Sequence, residues 1–122
     1  MANNMDERLY HYRAIVQSVY DGDTCTVDID LGLGIWVHGE KIRLYRINAP
    51  ERRGVEKELG LKSGDYLRSL IDGKEIFIQT VKDRKGKYGR YLADIWLEAA
   101  DGTWMNVNDL MVQQGYAVYK DY

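Results

Sequence analysis

Residues 23 to 30, Asp-Thr-Cys-Thr-Val-Asp-Ile-Asp, alternate with a period of two. Asp23, Cys25, Val27 and Ile29 fall on one side, and Thr24, Thr26, Asp28 and Asp30 on the other. Only a strand with one face in a core reads this way, because successive Cβ atoms of a strand point to opposite faces. The stretch sits between "YRAIVQSVY", rich in β-branched and aromatic residues, and "LGLG", a turn. A longer strand is expected from about Ile35 to Ile47, bent at Gly39. "LGLKSGDYLRSLIDG" then places Leu59, Ser63, Tyr66, Leu67, Leu70 and Ile71 at helical spacing. Gly60 and Gly64 weaken that helix by roughly 1 kcal/mol each. "KEIFIQTV" and "RYLADIWLEA" are strands, and Asn106 caps a last short helix, with Asp109 in the box position and Gly115 as its stop.

The order is thus three strands, a helix, two strands and a helix. It predicts an α+β, mainly β fold: a five-stranded OB-type barrel with two or three short helices, an architecture whose strand face and loops bind oligonucleotides or sugars. A length of 122 residues suits one domain, expected over 10–122 behind an N-terminal extension at 1–9. With 45% hydrophobic and 30% charged residues the composition is globular, not disordered. Cys25 is the only cysteine and His11 and His38 the only histidines, so an internal disulfide, a Cys-based zinc site and a histidine cluster are excluded. No apolar run approaches a membrane span, so no membrane partner is expected. The start lacks a leader pattern, from which a cytoplasmic location follows as an expectation. A net charge of −2 argues against indiscriminate polyanion binding. The basic residues are nonetheless concentrated in "KDRKGKYGR" at 82–90.

Three places carry chemistry. In Asp21-Gly22-Asp23-Thr24, an ordinary turn by its Asp-Gly pair, Asp23 enters on the core-facing side of a strand. A carboxylate there needs hydrogen bonds or a cation, and a hard cation with oxygen ligands would serve. In "IRLYRINAPER" the guanidinium of Arg43 points where burial is expected, which calls for an anion: an internal carboxylate or a phosphate. The sole proline, Pro50, ends that strand and aims Glu51 from a fixed loop. In "GKYGRYLADI" Gly89 permits a tight turn that launches Arg90, with Tyr88 as a stacking face and Lys87 as a phosphate contact. Together these are the parts phosphodiester hydrolysis requires: acids for a metal, a carboxylate base and arginines for the charge of the transition state.

"VYDGDTCTVDI", "IRLYRINAPE", "KYGRYLADI" and "MNVNDLMVQQGYA" occur in the order and at about the separations of the staphylococcal nuclease (thermonuclease-like) family, which the chain resembles over about residues 12 to 119. The resemblance implies an enzyme, a calcium-dependent endonuclease acting as a monomer on DNA or RNA, single strands included, without a covalent intermediate. It implies Asp23 as a direct Ca2+ ligand, Asp21 as a supporting acid, and the backbone carbonyl at Ala49 as a further ligand. Glu51 would be the general base on water. Arg43 and Arg90 would hold the scissile phosphate, and Lys87 and Tyr88 the neighbouring terminal phosphate. A compact nuclease of this kind suits a bacterium or phage.

Departures from the family's pattern are informative. Asn48 stands where the best-known member of the family has an aspartate that binds calcium, so two anionic direct ligands fall to one, and weaker metal affinity is expected. The chain stops at Tyr122, short of tyrosines that in the family stack on a base; Tyr119 or Tyr122 is the expected substitute. The loop "ERRGVEKELG" is shorter than its equivalent in the best-known member of the family and carries Arg52 and Arg53. The rival reading is an OB-type nucleic-acid or protein binding module in which Asn48 marks lost catalysis. Glu51 with both arginines weighs against it, since a pure binder needs no base.

Overall fold

The computed structural model describes residues 8–85 and 89–121, apart from the side chains of 82–85. Strands β1 (His11–Asp21), β2 (Thr24–Gly32) and β3 (Ile35–Leu44) run as an antiparallel meander. Strand β4 is a two-residue segment, Ile47–Asn48, followed by a 3-10 turn at Gly54–Glu56 and helix α1 (Lys57–Ile71). Strands β5 (Glu75–Lys85), β6 (Tyr91–Glu98) and β7 (Trp104–Asn106) follow, then helix α2 (Val107–Gln113) and β8 (Val118–Tyr119). The sheet order is β3-β2-β1-β5-β6-β7, and β3 also pairs with β6 in parallel through Ile42↔Tyr91, Arg43↔Leu92 and Leu44↔Ala93. That pairing closes five strands into the mainly β, OB-type barrel with two helices that the sequence predicts.

The interior is filled by alternate residues of these strands, among them Ala14, Val16, Cys25, Val27, Ile42, Leu44, Ile76, Ile78, Ala93 and Ile95. Burial pushes the Cys25 thiol up to about 12, in keeping with an inert core residue. Leu67 and Ile71 of α1 and Val107 and Met111 of α2 join the same buried cluster. The Asn106 side chain accepts from Asp109 N–H at 2.9 Å, the expected cap, and Gly115 takes φ +83° at the end of α2.

The expected long strand ends earlier than Ile47. It stops at Leu44, turns at Tyr45 and Arg46, and resumes only for β4, which pairs with β8. Arg46 has φ +71°, a left-handed conformation rare outside glycine, and is held there by ion pairs to Asp94 at 2.7 Å and Asp109 at 3.0 Å. Buried Asn108 secures the same turn: it donates to the carbonyls of Tyr45 and Ala93 and accepts from Ile95 N–H. Helix α1 also differs in detail. Leu59 is exposed, whereas Gly60, Ser63, Gly64, Leu67 and Ile71 form the buried face. Trp36 lies against His38, and Trp104 against Phe77, each tryptophan partly exposed.

Candidate active site

The turn between β1 and β2 brings Asp21 and Asp23 to one end of the barrel. Asp21 Oδ1 accepts from Asp23 N–H at 3.1 Å, a local Asx-type bond that shapes the turn. Asp23 is buried and fully engaged: Oδ1 accepts from Thr24 Oγ1 at 3.1 Å, and Oδ2 from Ala49 N–H at 2.8 Å. Arg43, one strand over in register with Thr24, closes an ion pair with Asp23 Oδ2 at 3.2 Å. Its Nη1 donates to the carbonyls of Leu44 and Ile47, and its Nη2 to Asn48 Oδ1 at 3.1 Å. The internal carboxylate expected as one partner of Arg43 is therefore present. Thr24 extends the cluster, since its hydroxyl accepts from Arg90 Nη1 at 3.3 Å while donating to Asp23. Both arginines thus meet one aspartate, Arg43 directly and Arg90 through Thr24.

Within the cluster Arg43 pairs with Asp23, and no cation is paired with Asp21 among the described ion pairs. Burial first, then the adjacent charge of Asp23, pushes the Asp21 carboxyl up to about 6. Asp23 Oδ2 and Asn48 Oδ1 converge on the same Arg43 nitrogen, and the donors that surround the turn are oxygens. This is the donor chemistry of a hard cation such as Ca2+, so the residues fit the metal by type. Among the described residues no three His, Cys, Asp or Glu side chains gather to hold a metal, so the set depends on Asn48 and on carbonyl oxygen besides Asp21 and Asp23.

Helix α1 fixes the spacing of the two acid-bearing loops by lying against both without side chains in between. A Cβ on Gly60 would stand 2.0 Å from the Glu51 carbonyl oxygen, and one on Gly64 would stand 3.3 Å from Asp21 Cα. One on Gly22 would meet Ser63 Oγ at 1.9 Å and Ala49 Cβ at 2.8 Å. Ser63 is itself buried and donates to the Tyr116 carbonyl at 2.8 Å. The glycines that lower the helix propensity of α1 are therefore what let it touch the site. Pro50 precedes Glu51, whose side chain is exposed at the rim and whose N–H faces Glu56 Oε1 at 3.4 Å.

The structure thus brings together Asp21, Asp23, Arg43, Asn48, Ala49 and Arg90, with Glu51 on the adjoining loop. Tyr119 is held elsewhere: its hydroxyl donates to Asp109 Oδ1 at 3.0 Å, beside Arg46. Lys87 and Tyr88 lie outside the described residues. Sequence reasoning missed Thr24 as the link between Asp23 and Arg90, and Gly60, Ser63 and Gly64 as the surface that carries the loops. The only advance signal of the latter was small residues at helical spacing.

The model of the family described as staphylococcal nuclease homologue matches residues 41–122. An uncharacterized protein of Methanocaldococcus jannaschii is 30% identical over 128 aligned positions, covering 88% of this chain and 58% of that protein. A thermonuclease of Staphylococcus intermedius is 27% identical over 86 residues, covering 68% of this chain and 48% of the thermonuclease. The chain spans about half the length of these curated relatives.

Proposed function

Because this chain belongs to the staphylococcal nuclease homologue family, we propose that it is a calcium-dependent endonuclease that hydrolyses phosphodiester bonds of DNA or RNA. The observation that carries this reading is the convergence of Arg43 and, through Thr24, Arg90 on Asp23, next to a loop that ends in an exposed carboxylate. Arg43 is anchored by two backbone carbonyls on Nη1, and its Nη2 edge can trade carboxylate and amide oxygens for those of a phosphate. Arg90 supplies a second donor to the same phosphate. Both arginines then stabilise the negative charge that grows on the phosphorane-like transition state.

Glu51 accepts a proton from water as the water oxygen bonds to phosphorus. The departing P–O bond breaks, and the leaving oxygen takes a proton from solvent while Arg90 offsets its charge. Asp23, the Asn48 amide oxygen and the Ala49 carbonyl, with Asp21 in support, are the groups that would hold Ca2+, which would supply charge neutralisation at the phosphate. Substrate recognition is of the strand as a polyanion, with single-stranded DNA or RNA the favoured form.

A second reading has one observation in its favour. Asn48 Oδ1 accepts from Arg43, which suits a neutral side chain filling out an ion-pair network in a binding module that does not cut. Cleavage of single-stranded DNA in calcium, with and without a chelator, separates the two. Calcium-dependent cutting that Glu51→Gln lowers by about 10²- to 10⁴-fold, at unchanged strand affinity, is the result expected of a positioned general base. Retained binding without cutting, in a protein whose fold is intact by circular dichroism, establishes the binding module instead.

A further inference from the structure

We propose that Tyr20 and Arg52 form a second anion subsite, which grips a phosphodiester flanking the one to be cut in a single-stranded nucleic acid. This inference rests on the nucleic-acid reading above but uses none of its catalytic residues. The Arg52 guanidinium carbon lies 4.5 Å over the Tyr20 ring. Tyr20 precedes Asp21 at the end of β1, and Arg52 follows Glu51, so the stack bridges the two acid-bearing loops at their outer rim. Among the described residues, no carboxylate pairs with Arg52, whereas Arg13, Arg43, Arg46 and Arg68 each have one.

Stacking occupies the face of a guanidinium and leaves its edge N–H groups directed outward, in the fork that suits a phosphate. Tyr20 is 54% exposed, so the ring offers surface beyond what Arg52 covers, enough for a base to lie against. The platform is also fixed in place. Its backbone rests on Gly60 of α1, where an added Cβ would come within 2.9 Å of Arg52 N and closer still to the Glu51 carbonyl. A cation with free donors, preorganised by stacking one residue from the base, is built for a neighbouring phosphate rather than for the reacting one.

The test measures binding and cleavage separately. Wild type, Arg52→Ala, Arg52→Lys and Tyr20→Leu are titrated against a fluorescent single-stranded 12-mer in chelator, over a series of salt concentrations. The same proteins are assayed in calcium for cleavage of the 12-mer and of a dinucleotide. Arg52→Ala is expected to weaken the 12-mer complex about tenfold and to flatten the slope of log K against log[salt] by about 0.7, the value for one phosphate contact on a single strand. Lysine restores the slope but only part of the affinity. KM for the 12-mer rises while kcat holds, and dinucleotide cleavage is unchanged. An unchanged salt slope, or an equal loss on the dinucleotide, overturns the subsite. Wild-type binding with the expected slope change but no cleavage overturns the nuclease alone, whereas no binding by wild type overturns both.

Discussion

Replacing Asp21 with asparagine is expected to stabilise the metal-free protein at neutral pH, although it removes an acid from the candidate site. Asp21 rises from 3.8 to about 6, through burial first and the Asp23 charge second. A carboxyl whose folded value is raised binds its proton more tightly in the folded state. The contribution of this group to stability is therefore fully present below about 4 and is lost as pH climbs through about 6. Two units correspond to about 3 kcal/mol at most, and roughly 1–2 kcal/mol once solvent screening of this half-buried group is allowed for. Asparagine keeps the oxygen that accepts from Asp23 N–H, so the turn should persist. Urea unfolding in chelator at pH 7.5 should show a midpoint higher by about 0.5–2 M, for a slope of 1–2 kcal/mol per molar. At pH 3.5 the two midpoints should coincide, and saturating calcium should favour the wild type. Equal midpoints at pH 7.5, or a less stable Asp21→Asn, would refute the account of Asp21 as a carboxylate penalised by burial and by Asp23.

Three further outcomes are expected. Asn48→Asp should tighten calcium binding, read by titration calorimetry, and raise cleavage at low calcium; no change in either means that position 48 does not serve the metal. Gly60→Ala, despite a gain of about 1 kcal/mol in helix propensity, should destabilise by roughly 1–3 kcal/mol net and lower kcat by displacing Glu51, both measured on the same preparation. The Cys25 thiol should resist an aromatic disulfide reagent until denaturant unfolds the barrel, and rapid reaction in buffer would contradict its burial.

What the sequence made legible was local. Alternation in Asp23–Asp30 predicts β2 and the burial of Asp23, Cys25, Val27 and Ile29, and all four are buried. The Asn106 cap and the Gly115 stop are likewise written in adjacent residues. The turn at Tyr45 and Arg46 was not legible, because its cause is tertiary: Asp94 and Asp109 hold Arg46, and Asn108 holds the Tyr45 carbonyl. At the site, the need of Arg43 for an anion could be read in advance, but not which anion, since Asp23 lies on another strand. Gly60 and Gly64 were read by propensity alone, which sees an isolated helix and not the loop backbones pressed against it.

The contact of α1 with the rest of the chain has a consequence for motion. A helix with glycines at 60 and 64 holds its shape in part because the barrel and the loops at 22, 49 and 51 support it, and those loops are supported in return. Fraying of α1 and loosening of the acid-bearing loops should then be one event on the exchange timescale, not two. Amide protons of Leu67 and Ile71 should exchange with the same opening free energy as those of Asp23 and Ala49. Whatever binds across those loops should slow exchange along the buried face of the helix, which it never touches.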